Sequence, residues 1–281
     1  MTVYHAVSLF DEVTVAPADK TSISVRGEDA EAVPADHTNL AWQAIVALAA
    51  AAGLADRQAA VHIDIRKRIP AAAGLAGGSA DAAAALVACN ELWQTGLTAD
   101  ELGEIGARLG SDVPFALAGG TAVGRGRGEL LTRALASGTY HWALAFSQTG
   151  LSTPQVYATC DRLRAARAGD DAAEPAAGPE LSAELITALR SGDATAVGPR
   201  LSNDLQPAAL SLQPGLRRTL AAGREFGALG AIVSGSGPTC AFLAKSAAHA
   251  REIAVSLTGA GVCRAVARAS GPAPGAAVVP L

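Results

Sequence analysis

The sequence predicts an α+β protein, and three observations carry that reading. The chain opens on β-rich segments, 3–15 and 20–26, before any helical pattern appears. Strand-like and helical stretches then alternate, without sorting into one class. The length of 281 residues favours two domains over one, with a boundary near residues 138–145.

Val3 to Val15 is rich in β-branched and aromatic residues, and KTSISVR (Lys20 to Arg26) alternates like its hairpin partner. Asn39 to Ala52 has helical periodicity, and AVHIDIRKRI (Ala60 to Ile69) alternates again as a strand. A turn of small residues follows, then a helix over Ser79 to Trp93. Thr98 to Leu109 is a further helix, whose TADE start is a capping box and whose end is Gly110. Gly119 to Leu131 reads as a glycine-punctuated strand and turn, and His141 to Phe146 as a short apolar strand. In STPQVYATCDRLRAA, Thr153 is the expected N-cap and Pro154 the first helical residue. Arg167 to Glu180 reads as a mobile loop, and helical segments follow to about Gly227. GAIVSGSGPTCAFLA reads as strand, tight glycine turn, strand. Arg251 to Thr258 lies in a helix, Val262 to Arg268 is a strand, and the tail is rich in Pro and Gly.

Half the residues are hydrophobic, enough for buried cores, and the net charge of −4 argues against nucleic-acid or membrane-surface partners. Cys89, Cys160, Cys240 and Cys263 form no CxxC pair, which fits reduced thiols. The five histidines show no metal-ligand spacing, so no protein-built metal site is expected. No apolar run is long enough to span a membrane, and no leader pattern opens the chain. The expectation is a soluble, cytoplasmic protein.

IPAAAGLAGGSADAAAAL (Ile69 to Leu86) asks a chemical question. A strand, a glycine-rich turn and a helix start together make a phosphate site, because bare N–H groups and the helix dipole face an anion. Gly74, Gly77, Gly78 and the Ser79 hydroxyl supply those features, though a tight turn before an alanine-rich helix needs small residues too. Three familiar motifs do not fit. A Walker A loop needs Lys after its last Gly, where Ser79 stands. The spacing is not GxGxxG. GGSAD has Asp81 where a serine-hydrolase elbow has its second glycine.

PAAAGLAGGSADAA (Pro70 to Ala83) resembles the phosphate loop of the GHMP small-molecule kinases. LGSDVPFALAGGTAVGRGRGE (Leu109 to Glu129) is similar to the segment that carries their catalytic aspartate. IVSGSGPTCAFL (Ile232 to Leu243) resembles the C-terminal glycine motif that braces the loop. NLAWQA, GSDVPF and STPQVY point to the branch that phosphorylates a cytidine-diphosphate-linked methylerythritol. The resemblance implies a two-domain GHMP kinase fold: an N-terminal nucleotide-binding α/β domain over 1–140 and a C-terminal ferredoxin-like domain over 141–281, with the active site in the cleft. It implies ATP and Mg2+, a small-molecule substrate, no nucleic acid or membrane partner, and a monomer or homodimer.

Residue by residue, the resemblance makes Asp112 the catalytic acid–base group and Pro70, Ala71, Ala72, Ala73, Gly74, Leu75, Ala76, Gly77, Gly78, Ser79 and Ala80 the phosphate cradle. Lys67 and Asn39 match positions near the nucleotide. Tyr4 and Tyr157 match rings that stack on cytosine, and Thr153 a substrate contact. Gly235, Ser236 and Gly237 are expected to brace the loop. Read from residue type alone, Asp112 is an N-cap or turn aspartate, and Lys67 serves equally as a solvated edge charge. By the same reading Asn39 and Thr153 are helix caps and Tyr157 a core-facing ring. Ala76 and Ala80 stand where the commoner loop has glycine and serine.

The family pattern also has a P-[AG]-K-[IV]-N strand and a DGYH segment, absent here; His5 is not the DGYH histidine. The expectation is a working protein that starts further upstream, and a chain that is a poor kinase as written. A degraded, ligand-binding relative is the alternative.

Overall fold

The computed structural model describes residues 1–55, 57–168 and 182–279. The expected loop over 167–180 falls mostly outside the described residues. The chain forms two compact units. One contains Thr2–Ala71, Ala76–Ala134 and Pro272–Leu281, and the other Met1, Ala72–Leu75 and Leu135–Gly271.

The first unit has two three-stranded sheets. Strands β1 (Thr2–His5), β5 (Thr121–Arg125) and β6 (Leu130–Arg133) make one, in the order β1-β5-β6. Strands β2 (Glu12–Pro17), β3 (Ser22–Gly27) and β4 (Val61–Lys67) make the other, in the order β2-β4-β3. The stretch 3–15 is therefore two strands in two sheets, not one. The expected hairpin of 3–15 with 20–26 is also replaced. β4 lies between β2 and β3, antiparallel to the first and parallel to the second. Strand propensity marks extended chain but not its partner. A parallel pair needs a crossover, and helix α1 (Leu40–Ala51) lies in this one.

β4 alternates cleanly, with Val61, Ile63, Ile65 and Lys67 buried. Its apolar face packs with α1 and α2 (Gly77–Leu92) in a core that includes Ile45, Leu48, Ala82 and Leu86. Helix α3 (Ala99–Leu109) carries the expected capping box: Thr98 accepts from the Glu101 N–H, and the Glu101 carboxylate accepts from the Thr98 N–H at 2.8 Å. A six-residue helix, α4 (Val113–Ala118), follows and was not anticipated. It is too short for a periodic signal. Residues 272–276 return to this unit. The Gly120 N–H donates to the Ala273 carbonyl (2.8 Å), and the Ala276 N–H to that of Ala116 (2.9 Å).

The second unit is a four-stranded antiparallel sheet in the order β10-β7-β9-β8. Its strands are β7 (Tyr140–Phe146), β8 (Gly230–Val233), β9 (Cys240–Ala244) and β10 (Ala265–Gly271). Helices α5 (Thr153–Ala168), α6 (Ala183–Ser191), α7 (Ala194–Val197), α8 (Gln206–Leu212) and α9 (Leu216–Glu225) run between β7 and β8. Helix α10 (Ala247–Gly259) joins β9 to β10. This strand order is the ferredoxin-like split βαβ arrangement. Its core gathers Ala143, Val233, Phe242, Ile253 and Leu257. Thr153 is the first residue of α5, one position inside the expected cap.

Candidate active site

The small-residue turn is built by backbone. Ala76, the N-cap of α2, is left-handed (φ 54°, ψ 32°) and makes no side-chain capping bond. The first amides of a helix lack intrahelical acceptors, so this end offers N–H groups and positive potential to an anion. Ser79 sits in this first turn, its Oγ 3.9 Å from where a Cβ on Gly110 would stand, which sets it beside the segment leading to Asp112. Leu40, the first residue of α1, reaches within 3.6 Å of a Cβ placed on Gly78.

Asn39 is the N-cap of α1, accepting from the Ala41 N–H (2.9 Å) and donating to the Pro34 carbonyl (2.7 Å). Lys67 is not solvated. It is 4% exposed, and its Nζ donates to Asp81 Oδ2 at 2.8 Å and to Asp11 Oδ2. Asp11 Oδ1 accepts from the backbone N–H of Arg68 (2.6 Å) and Ile69 (2.9 Å). The cluster thus fastens the end of β4 to the first turns of α2, clamping both feet of the loop. Its Nζ lies 3.2 Å from where a Cβ on Gly77 would stand. Burial pushes the Asp81 carboxyl up to about 7; Lys67 pulls it down, and Asp11 reinforces the rise. Alternation along β4 already placed Lys67 on the buried face. Asp11 had no such signal, because it lies 56 residues away in sequence.

Asp112 is the N-cap of α4 and makes no capping bond of its own. Its Oδ1 accepts from the Tyr4 hydroxyl at 2.9 Å. The Tyr4 ring stacks on Phe115, with centroids 4.8 Å apart and planes at 19°. Tyr4 and Asp112 are therefore brought together, an association no sequence pattern announced.

In the second unit, the loop crown 72–75 meets the glycine motif. The Ser234 hydroxyl donates to the Gly74 carbonyl (3.0 Å), and the Thr239 N–H to the Ala73 carbonyl (3.2 Å). Gly74 is left-handed (φ 72°), and a Cβ there would lie 2.5 Å from the Ser234 oxygen and 2.6 Å from the Gly237 oxygen, so no side chain fits. Asn203 holds the motif in turn, donating to the carbonyls of Val233 (2.8 Å) and Gly235 (2.7 Å). Sequence reasoning missed Asn203; within the bracing motif it singled out Gly235, Ser236 and Gly237, of which Gly237 lies against Gly74, while Ser234 and Thr239 make the bonds. Ser236 pairs instead with Thr153, hydroxyl to hydroxyl at 2.9 Å. Tyr157 stands one turn along α5 from Thr153, on the same face. It is 54% exposed, so it is not the core-facing ring of its helix.

Two family models match the chain: the GHMP kinases N-terminal domain over residues 39–120, and the GHMP kinases C-terminal domain over 185–263. The chain is 56% identical to the 4-diphosphocytidyl-2-C-methyl-D-erythritol kinase of Rhodococcus jostii, over 99% of this chain and 86% of that one. The enzyme of the same name from Mycolicibacterium gilvum is 56% identical over 99% and 84%. Among solved structures, a 4-(cytidine 5'-diphospho)-2C-methyl-D-erythritol kinase superposes with a TM-score of 0.74 at 30% identity, covering 95% of this chain and 88% of that one. A homoserine kinase from Cytophaga hutchinsonii shares the fold, with a TM-score of 0.71 at 19% identity over 96% and 87%.

Proposed function

The chain belongs to the GHMP kinases, and on that footing we propose that it uses ATP to phosphorylate the 2-hydroxyl of 4-diphosphocytidyl-2-C-methyl-D-erythritol. One observation carries the choice of substrate: relatives of that name are 53–56% identical over 99% of the chain.

In this reading residues 1–140 supply most of the ATP-binding domain and 141–281 most of the C-terminal domain, the tail from Pro272 returning to the first unit, and the protein works in the cytoplasm. The uncapped amides at the start of α2, with no side chain at Gly77 and Gly78, suit a triphosphate. Asp112 takes the proton of the substrate hydroxyl as its oxygen bonds to the γ-phosphorus and ADP leaves. Such transfers ask the protein for position and charge more than for covalent chemistry. Among the described residues no three His, Cys, Asp or Glu side chains gather as metal ligands. A magnesium ion would then be held mainly by the phosphates, with the Ser79 hydroxyl as its protein contact. When bound, it neutralises charge on the transferring group. Thr153 and the exposed Tyr157 are the side chains offered to the cytidine portion, where stacking contributes roughly 1–3 kcal/mol per base.

The test is turnover of the cytidylyl substrate by wild type, slow as it is expected to be, and by Asp112→Asn. The variant should lose activity, by about 10²–10⁴-fold for an acid–base group, while still binding an ATP analogue. Survival of activity would remove Asp112 from the mechanism. CDP should compete with the substrate; if it does not, a kinase of a cytidine-free alcohol is the better reading.

A further inference from the structure

We propose that Tyr4 is a positioning residue for phosphoryl transfer, serving the reaction through its hydroxyl on Asp112 and not through its ring against a base. The inference rests on the reading of Asp112 given above.

Asp112 stands at the N-cap of a helix of only six residues, and its side chain makes no capping bond there. Its own element therefore leaves the carboxylate free to rotate. The Tyr4 hydroxyl, 108 residues away in sequence, supplies the constraint by donating to Oδ1 at 2.9 Å. The donor is itself held. Its ring stacks on Phe115, which belongs to the same short helix that Asp112 caps. The space around the ring edge and hydroxyl depends on two missing side chains. A Cβ on Gly124 would lie 2.6 Å from Tyr4 Cε2, and one on Gly128 would lie 2.1 Å from the hydroxyl oxygen. Any other residue at these places would displace the ring. Ring, hydroxyl and carboxylate thus form one rigid group. One ring face lies on Phe115, so no more than one face is left for a flat ligand. With Oδ1 held, Oδ2 receives the proton while the substrate oxygen bonds to the γ-phosphorus and the bond to ADP breaks.

Tyr4→Phe keeps the stack and removes the hydroxyl. It should lower kcat about 10-fold, the scale of one hydrogen bond to a charged group, with both KM values and the melting midpoint little changed. In an Asp112→Asn background the same change should add no further loss, because the two act as a unit. Phe115→Leu, which loosens the ring but keeps the hydroxyl, should cost less than Tyr4→Phe. An unchanged kcat in Tyr4→Phe would overturn the proposal. So would a raised KM for the cytidylyl substrate at constant kcat, the mark of a ring that stacks on the base. So would losses that add in the double variant, or a larger loss from Phe115→Leu. Full activity in Asp112→Asn would overturn the reading of Asp112 and this proposal with it, an outcome visible without any Tyr4 variant.

Discussion

His5 sits where β1 meets β5, its Nδ1 at 2.9 Å from the Thr121 hydroxyl, and burial holds its imidazole down at about 4 against an ordinary 6.5. The folded chain therefore binds fewer protons here than the unfolded chain between those values. Stability from this site is full above pH 6.5 and is lost as pH falls toward 4, by roughly 1–3 kcal/mol. Melting midpoints of wild type and His5→Gln over that window should converge as the pH drops; parallel curves would remove His5 from the acid response. Lys67 makes a second residue-scale test. Lys67→Met leaves Asp11 and Asp81 buried without their shared cation, a loss of about 3–5 kcal/mol or on the order of 10 °C in melting midpoint. A lysine whose task was to touch phosphate would leave melting unchanged and weaken only nucleotide binding.

At the scale of elements, α2 begins on a residue in an unfavourable conformation. Ala76 is left-handed, which disfavours any residue with a Cβ by roughly 1–2 kcal/mol. Ala76→Gly relieves that strain but frees the unfolded chain, for a net gain of about 0.5–1 kcal/mol; a fall in melting midpoint would contradict it. Local signals made most elements legible. The capping box at Thr98, the alternation of β4 and the β8–β9 hairpin each depend on neighbours in sequence. Pairing partners did not, so the insertion of β4 between β2 and β3 could not be read. The site divides the same way. The loop was visible as a local pattern of small residues. The bracing motif that carries Ser234 was visible too, as a second glycine pattern. Asn203, which holds that motif, and Asp11, the clamp, are polar residues whose partners lie far along the chain. β4 did contain the answer for Lys67: a period of two puts it with Val61, Ile63 and Ile65, not with the solvated residues between them.

Across the whole molecule, the two units differ in how the chain supplies them. The ferredoxin-like sheet is complete once β10 ends at Gly271. The other unit also takes residues 272–276, which bond to Ala6, Ala116 and Gly120 and bridge Gly119 through Pro274. Deleting residues 272–279 should therefore speed amide exchange around α4 and β5 and lower the midpoint of that unit, leaving exchange in β7 and β9 unchanged. Equal loosening of both sheets would show that the tail acts otherwise.

That returning segment also sets a timetable. A ribosome delivers most of the first unit early, yet its closing bonds belong to residues made after the entire second sheet. During synthesis the early part must wait, its Gly120 amide and Ala116 carbonyl facing water, until residues 273 and 276 emerge. The unit that begins first is thus the last to be sealed. Slow translation or premature termination beyond Gly271 would release a molecule with one finished half and one unsealed half.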